Sequence, residues 1–342
     1  MKKFIKSILL VLTLTVAGYS PVFYFNIIEN PYGIFTSDFS HQKFEPNNHF
    51  IKMRYLLHND THFDSYIFGS SRANNIKVEN LKNGNYYNLY YSLGIPTEHL
   101  NDIRLLLAHH KKIKNILILL DYTAYTTGTQ NRENDLSRIP YSDHLIPLAK
   151  KYIKYAFTIP EDKFVEDFYF AQPVPYYTNM YKTGTAENKK EELYIENNRE
   201  EHNNHPKFNN PVEGYESYVL ETIAVLDTIN HICSENHINL TYAFNPIHKT
   251  TYLVSNHELY FAFMKKLSEL TSFYDFSGLG KITTNNYFYY ETSHYRPMIG
   301  KAMTDFIQYQ KRIDTIPEFG EYITKDNVDK RIEFLKSQLP QK

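Results

Sequence analysis

The chain has no tryptophan, a single cysteine and almost no net charge, and each shortage removes a class of function. Cys233 has no second cysteine to pair with, which excludes an intramolecular disulfide and any CxxC metal site. Its 37 lysines and arginines are balanced by 38 aspartates and glutamates, a formal charge of −1. Binding nucleic acid through a surface needs net positive potential, so a nucleic-acid partner is not expected. With 42% hydrophobic and 22% charged residues, the composition is that of a globular protein. The 31 tyrosines and 23 phenylalanines read as packing, not as a platform for stacked bases.

Long apolar runs are also scarce, and the one present lies at the N-terminus. Lys2, Lys3 and Lys6 precede an uncharged segment from Ile8 to Ile28. As helix it would extend about 31 Å, roughly one hydrocarbon core. Positive charge before the span predicts a cytoplasmic stub and export of the rest of the chain. No small-x-small cleavage pattern stands near Ala17-Gly18-Tyr19, which favours an uncleaved anchor over a signal peptide. The expected organisation is an anchor over residues 1–28 and an exported domain over 29–342. The chain is then expected to be a single-pass membrane protein, with its main domain on the exported side.

Short apolar runs alternate with helical periodicity beyond residue 60. Strands are predicted over 65–68, 86–93, 113–120, 238–244 and 273–276. Helices are predicted over 96–109, 219–232, 259–270, 297–309 and 328–339, with Pro96 and Pro297 as first-turn residues. Strands alternating with helices imply an α/β fold with a central parallel sheet covered on both faces. Ligands in such folds sit beyond the strand C-termini, where Ser71, Gly94, Asp121 and Asn245 fall. Residues 123–214 break the rhythm with Pro140, Pro147, Pro160, Pro173 and Pro175, and Glu187 to Asn210 is hydrophilic. This stretch is expected as an insertion, helical around 144–157, with a loop at its polar end.

Two segments carry chemistry. Gly69-Ser70-Ser71-Arg72 directly follows the first strand of the exported part. A nucleophilic serine needs a tight turn with free N–H groups beside it, and this is such a turn. Glu291-Thr292-Ser293-His294 places an acid three residues before a histidine, so that Glu291 can orient the imidazole and leave Nε2 as base. A turn resembling G-x-S-x-G also suggests an α/β-hydrolase. That fold separates acid from histidine widely in sequence, unlike the three-residue spacing here.

The pair resembles the SGNH (GDSL-like) hydrolase superfamily, whose serine follows the first strand and whose D-x-x-H motif lies near the end. More narrowly, the GSSR turn is similar to that of membrane-anchored bacterial proteins of cell-envelope glycan acylation, among them the teichoic-acid D-alanylation and alginate-acetylation groups. The resemblance implies a three-layer, flavodoxin-like SGNH domain. It implies Ser71 as nucleophile, His294 as base, Glu291 as acid, and the N–H groups of Ser71 and Gly94 as oxyanion donors. The implied activity is esterase or O-acyltransferase chemistry on an envelope glycan, without metal or cofactor. An integral-membrane acyltransferase is the implied partner. The chain departs from the family in having Glu291 where Asp is usual, GSSR in place of GDSL, and no G-x-N-D asparagine after the third strand, which ends Leu120-Asp121-Tyr122. Asn74 and Asn245 are the candidate replacements. The other expectation is a glycan-binding or scaffolding subunit without turnover.

Several polar residues remain. Arg72, Asp121, Asn245 and His248 are candidates to line the site, with ion pairing the simpler role for Arg72 and Arg296, and a capped turn for His248. His202 and His205 are expected in a solvated loop.

Overall fold

The structure is a computed structural model; it describes residues 2–59, 62–130, 132–174, 177, 180–212, 216–312, 316 and 319–340. The chain divides into two compact units. One comprises residues 1–55 and 131–181, the other 56–130 and 182–342. The interruption that sequence reading places at 123–214 is therefore shared: 131–181 belongs with the N-terminal segment, and 182–214 with the sheet.

The first unit is built on the helix Lys2–Phe23, continued by a π-type turn Tyr24–Glu29. Together Phe4–Glu29 is long and apolar enough to cross a membrane, with a mean hydropathy of 1.8. Its end packs within the same unit on the helices Leu145–Phe157 and Asp162–Phe170. Phe50, fully buried, is surrounded edge-on by Tyr141, Tyr152 and Tyr155. Many of the aromatic residues are spent on clusters of this kind, where offset and edge-to-face rings add to area burial.

The second unit carries a six-stranded sheet: β1 Ser65–Phe68, β2 Tyr86–Asn88, β3 Asn115–Leu120, β4 Asn239–Phe244, β5 Phe273–Asp275 and β6 Glu321–Ile323. The spatial order is β2-β1-β3-β4-β5-β6, parallel from β2 to β5. The edge strand β6 is antiparallel to β5, so the sheet is mixed where a parallel one was expected. It is only three residues long, too short to show a strand period in sequence.

Side chains alternate across this sheet as the pleat requires. Ile67, Leu117, Leu119 and Ala243 join Ile299, Met303 and Phe306 of the helix Pro297–Tyr309 in one core. Tyr242 and Phe244 face the other way. Tyr242 reaches the helix Val219–Glu235, and Phe244 packs on Tyr260 and Phe263 of the helix His257–Leu270. Central strands buried on both faces explain the near-continuous apolar run of β3. The expected strand 86–93 is cut to three residues because Asn88 turns inward, donating from Nδ2 to the carbonyls of Ala73 (2.8 Å) and Ile76 (3.1 Å). Successive strands run to opposite sides of β1, β2 on one side and β3 on the other. The crevice at their C-terminal ends is where such sheets place ligands.

Candidate functional site

The serine turn and the acid-histidine loop both lie in the second unit. Chain leaving β1 passes Gly69 and Ser70 and enters a 3-10 turn at Ser71–Asn75. The carbonyls of Ala73 and Ile76 are held by Asn88, so the turn is fixed from beneath. Ser71, half-buried, opens the turn, and a first-turn N–H has no intrahelical acceptor. Its Oγ lies 2.7 Å from His294 Nε2.

His294 is presented by a tight loop. Tyr289 and Tyr295 pair as an antiparallel bridge, Tyr290 N–H donates to His294 carbonyl (2.9 Å), and Arg296 N–H to Phe288 carbonyl (2.8 Å). Within that loop Glu291 Oε1 takes the His294 backbone N–H (2.9 Å) and the ring Nδ1–H, while Oε2 takes the Ser293 N–H (2.7 Å). Burial works against the Glu291 charge, but the hydrogen bonds from His294 and Ser293 outweigh it and hold the carboxyl below its usual range. An ionised Glu291 places the ring proton on Nδ1 and leaves Nε2 to accept from Ser71. The side chains of His294 and Glu291 are 34% and 33% exposed, so the relay is open to a ligand.

The two segments are locked together by a buried ion pair. Arg72 and Asp121, both within a few per cent of full burial, approach to 3.2 Å. Asp121 also accepts from Ser70 Oγ (2.6 Å), Thr123 N–H (2.9 Å) and Asn245 Nδ2 (3.3 Å). Burial raises its pKa, but Arg72, Ser70 and Thr123 more than reverse that, leaving the carboxyl below the ordinary value. Arg72 reaches on to the Ser293 carbonyl (3.0 Å), the Ser293 hydroxyl and the Tyr122 hydroxyl (2.6 Å). It therefore ties the serine turn and the end of β3 to the residue next to His294. Asn245 completes the frame by accepting from the Tyr295 hydroxyl (2.9 Å).

Several expected site residues thus have other roles. Arg72, Asp121 and Asn245 lie under the site as its frame. His248 is fully buried; its Nδ1 caps the helix Lys249–Val254 through Thr250 N–H and its Nε2 meets Asn286 Oδ1, so it does not line the site. Gly94 comes close, but its N–H donates to the Tyr91 carbonyl (3.0 Å) and is not open to an oxyanion. Its glycine has a steric reason. A Cβ there would stand 2.5 Å from the Gly69 carbonyl oxygen. Gly94→Ala should therefore shift the serine turn and slow reaction of Ser71 with a fluorophosphonate, toward the ~10²-fold typical of a 1 Å misplacement. Labelling at the native rate would show that the turn absorbs the methyl group.

Both asparagines expected as replacement oxyanion donors have partners in the frame of the site. Asn245 is engaged by Asp121 and Tyr295, and Asn74 exchanges two hydrogen bonds with the backbone of Ala186 (3.1 and 2.7 Å).

The largest departure concerns the polar stretch 187–210. It is not a loop but two helices, Lys189–Asn197 and Arg199–Asn203, and it grips the histidine loop. Glu192 and Glu196, one turn apart, bind the guanidinium of Arg296 at 2.8 and 2.6 Å. Arg296 also donates to the Tyr287 carbonyl (3.1 Å), and the Tyr287 hydroxyl donates to Glu196 (2.8 Å). His202, expected in solvent, is fully buried, and its Nε2–H points at the Tyr289 carbonyl (2.9 Å); His205 is exposed, as expected. The signal in the sequence was the i, i+4 spacing of Glu192 and Glu196, a single helical face. Glu192→Gln with Glu196→Gln should speed amide hydrogen exchange over 287–296 while the sheet strands stay protected. Unchanged exchange would mean the loop holds itself.

Compared with the profiles of known protein families and with curated proteins, the chain matches none.

Proposed function

We propose that the chain is a membrane-anchored serine esterase or O-acyltransferase of SGNH type, acting on acyl esters of a cell-envelope glycan. The observation that carries this reading is the relay Ser71 Oγ, His294 Nε2, His294 Nδ1, Glu291 Oε1, assembled at the C-terminal ends of parallel strands. Ser71 Oγ attacks the ester carbonyl as His294 Nε2 takes its proton. The tetrahedral intermediate collapses with transfer of that proton to the departing alcohol, leaving an acyl-Ser71. Water or a sugar hydroxyl then gives its proton to His294, attacks the acyl carbon, and restores Ser71. The Ser71 N–H faces the developing oxyanion in this scheme. Anchoring by Phe4–Glu29, with lysines ahead of it, supports a site on the exported side.

Serine-reactive fluorophosphonate labelling of the full-length chain tests the reading. Labelling is expected for the wild type and Ser70→Ala, and none for Ser71→Ala or His294→Ala. A second reading, a glycan-binding subunit without turnover, draws on the occupied Gly94 N–H and on Asn74 and Asn245 being bonded elsewhere. A folded wild type that takes no label would make this second reading the better one.

A further inference from the structure

The helix Leu145–Phe157 turns an apolar stripe away from its own unit. Ile146, Ile153 and Phe157 recur at helical spacing and are 68, 58 and 48% exposed; Ile159, just past the helix, is 66% exposed. On the opposite face Tyr155 is buried, with its hydroxyl on the Leu136 carbonyl. A helix bathed in water would carry polar residues on that outer stripe.

Four observations identify what covers it. The stripe runs directly onto the N-terminal helix, because Phe157 lies against Phe23 and Tyr19 with ring centroids 5.1 and 6.4 Å apart. Asn26 Nδ2 donates to the carbonyls of Ala156 (3.2 Å) and Thr158 (2.8 Å), satisfying last-turn oxygens that lack partners at a helix end. The depth also agrees. Counting about 20 residues of hydrocarbon from Lys6 puts the far boundary near Asn26, with Phe23 and Tyr19 about 5 and 10 Å inside it. Interfacial amphipathic helices rest their apolar faces at that depth. Lastly, the exposed Lys150 borders the stripe, where a lipid phosphate would stand.

We propose that Leu145–Phe157 is an interfacial helix lying in the bilayer surface at the exit of the N-terminal span; this rests on reading Phe4–Glu29 as that span. The chain then holds the membrane by two elements. An apolar cleft of about 620 Å³ between them, lined by Val16, Tyr19, Phe23, Ile27 and Phe157, is filled by lipid acyl chains.

The test uses the chain of 342 residues in phosphatidylethanolamine–phosphatidylglycerol vesicles, with an environment-sensitive fluorophore at Ile153→Cys or Val16→Cys. Cys233 is buried, and burial pushes its thiol up to about 12, so it does not compete for the label. Shallow doxyl lipids are expected to quench the label at position 153 by about two-fold or more, and deep ones to quench it at position 16. Quenching at 16 without quenching at 153 overturns the interfacial helix and leaves the span standing. Quenching at neither overturns both.

Discussion

With the proposed esterase chemistry, Glu291→Gln is expected to lower turnover of a small acyl ester by about 10⁴-fold, the effect seen when the acid of a serine triad becomes an amide. The reason lies in the three N–H groups that converge on one carboxylate. Glu291 accepts from the backbone N–H of His294, the backbone N–H of Ser293 and the imidazole Nδ1–H. An amide has one acceptor oxygen and one NH₂. If its oxygen stays on the Ser293 N–H, its NH₂ takes the place of Oε1 and faces Nδ1, which must then be the unprotonated nitrogen. Nε2 would carry the proton and could no longer accept from Ser71. Because Glu291 also shapes the loop, Glu291→Asp is the control. It keeps the charge but shortens the reach by one methylene, and should lose less than the amide. Steady-state kinetics of both variants, with the loop followed by hydrogen exchange, decide the matter. Turnover of Glu291→Gln within ten-fold of wild type would show that His294 is oriented by something else.

Arg72→Met is expected to destabilise the chain by about 3–5 kcal/mol, the range for removing one member of a buried ion pair. The variant leaves Asp121 charged and buried, and also deprives the Ser293 carbonyl and the Tyr122 hydroxyl of their donor. Adding Asp121→Asn should recover part of the loss, since the stranded charge goes with it; a double-mutant cycle by denaturant unfolding in detergent measures the coupling. The same pair sets a pH dependence of definite sign. Asp121 has a folded pKa below its unfolded value of about 3.9. Its contribution is therefore complete above that value and is lost as pH falls toward the folded pKa. Wild type should lose stability more steeply than Asp121→Asn below about pH 4. An Arg72→Met chain as stable as wild type, or parallel acid profiles, would remove the pair from the frame of the site.

Sequence alone determined those parts of the protein that rest on local chemistry. The apolar N-terminal helix, the strands β1, β3 and β4, and the helices opened by Pro96 and Pro297 follow from hydrophobic period and first-turn prolines. The serine turn and the acid-x-x-histidine loop were each legible too, being contiguous motifs, whereas their meeting across 223 positions was implied only by the resemblance. What only the tertiary structure decided is the work of residues far apart in sequence. Asp121 and Arg72 stand 49 positions apart and declare nothing until β1 and β3 lie side by side. The hydrophilic stretch 187–210 reads as loop because its helices bury little apolar surface. They are held instead by Glu192 and Glu196 on an arginine about a hundred residues later, an attraction with no local period to reveal it. The Gly94 N–H was lost to a neighbouring carbonyl for a similar reason: a glycine in sequence shows that backbone comes close, but not whether its N–H is spent on the turn.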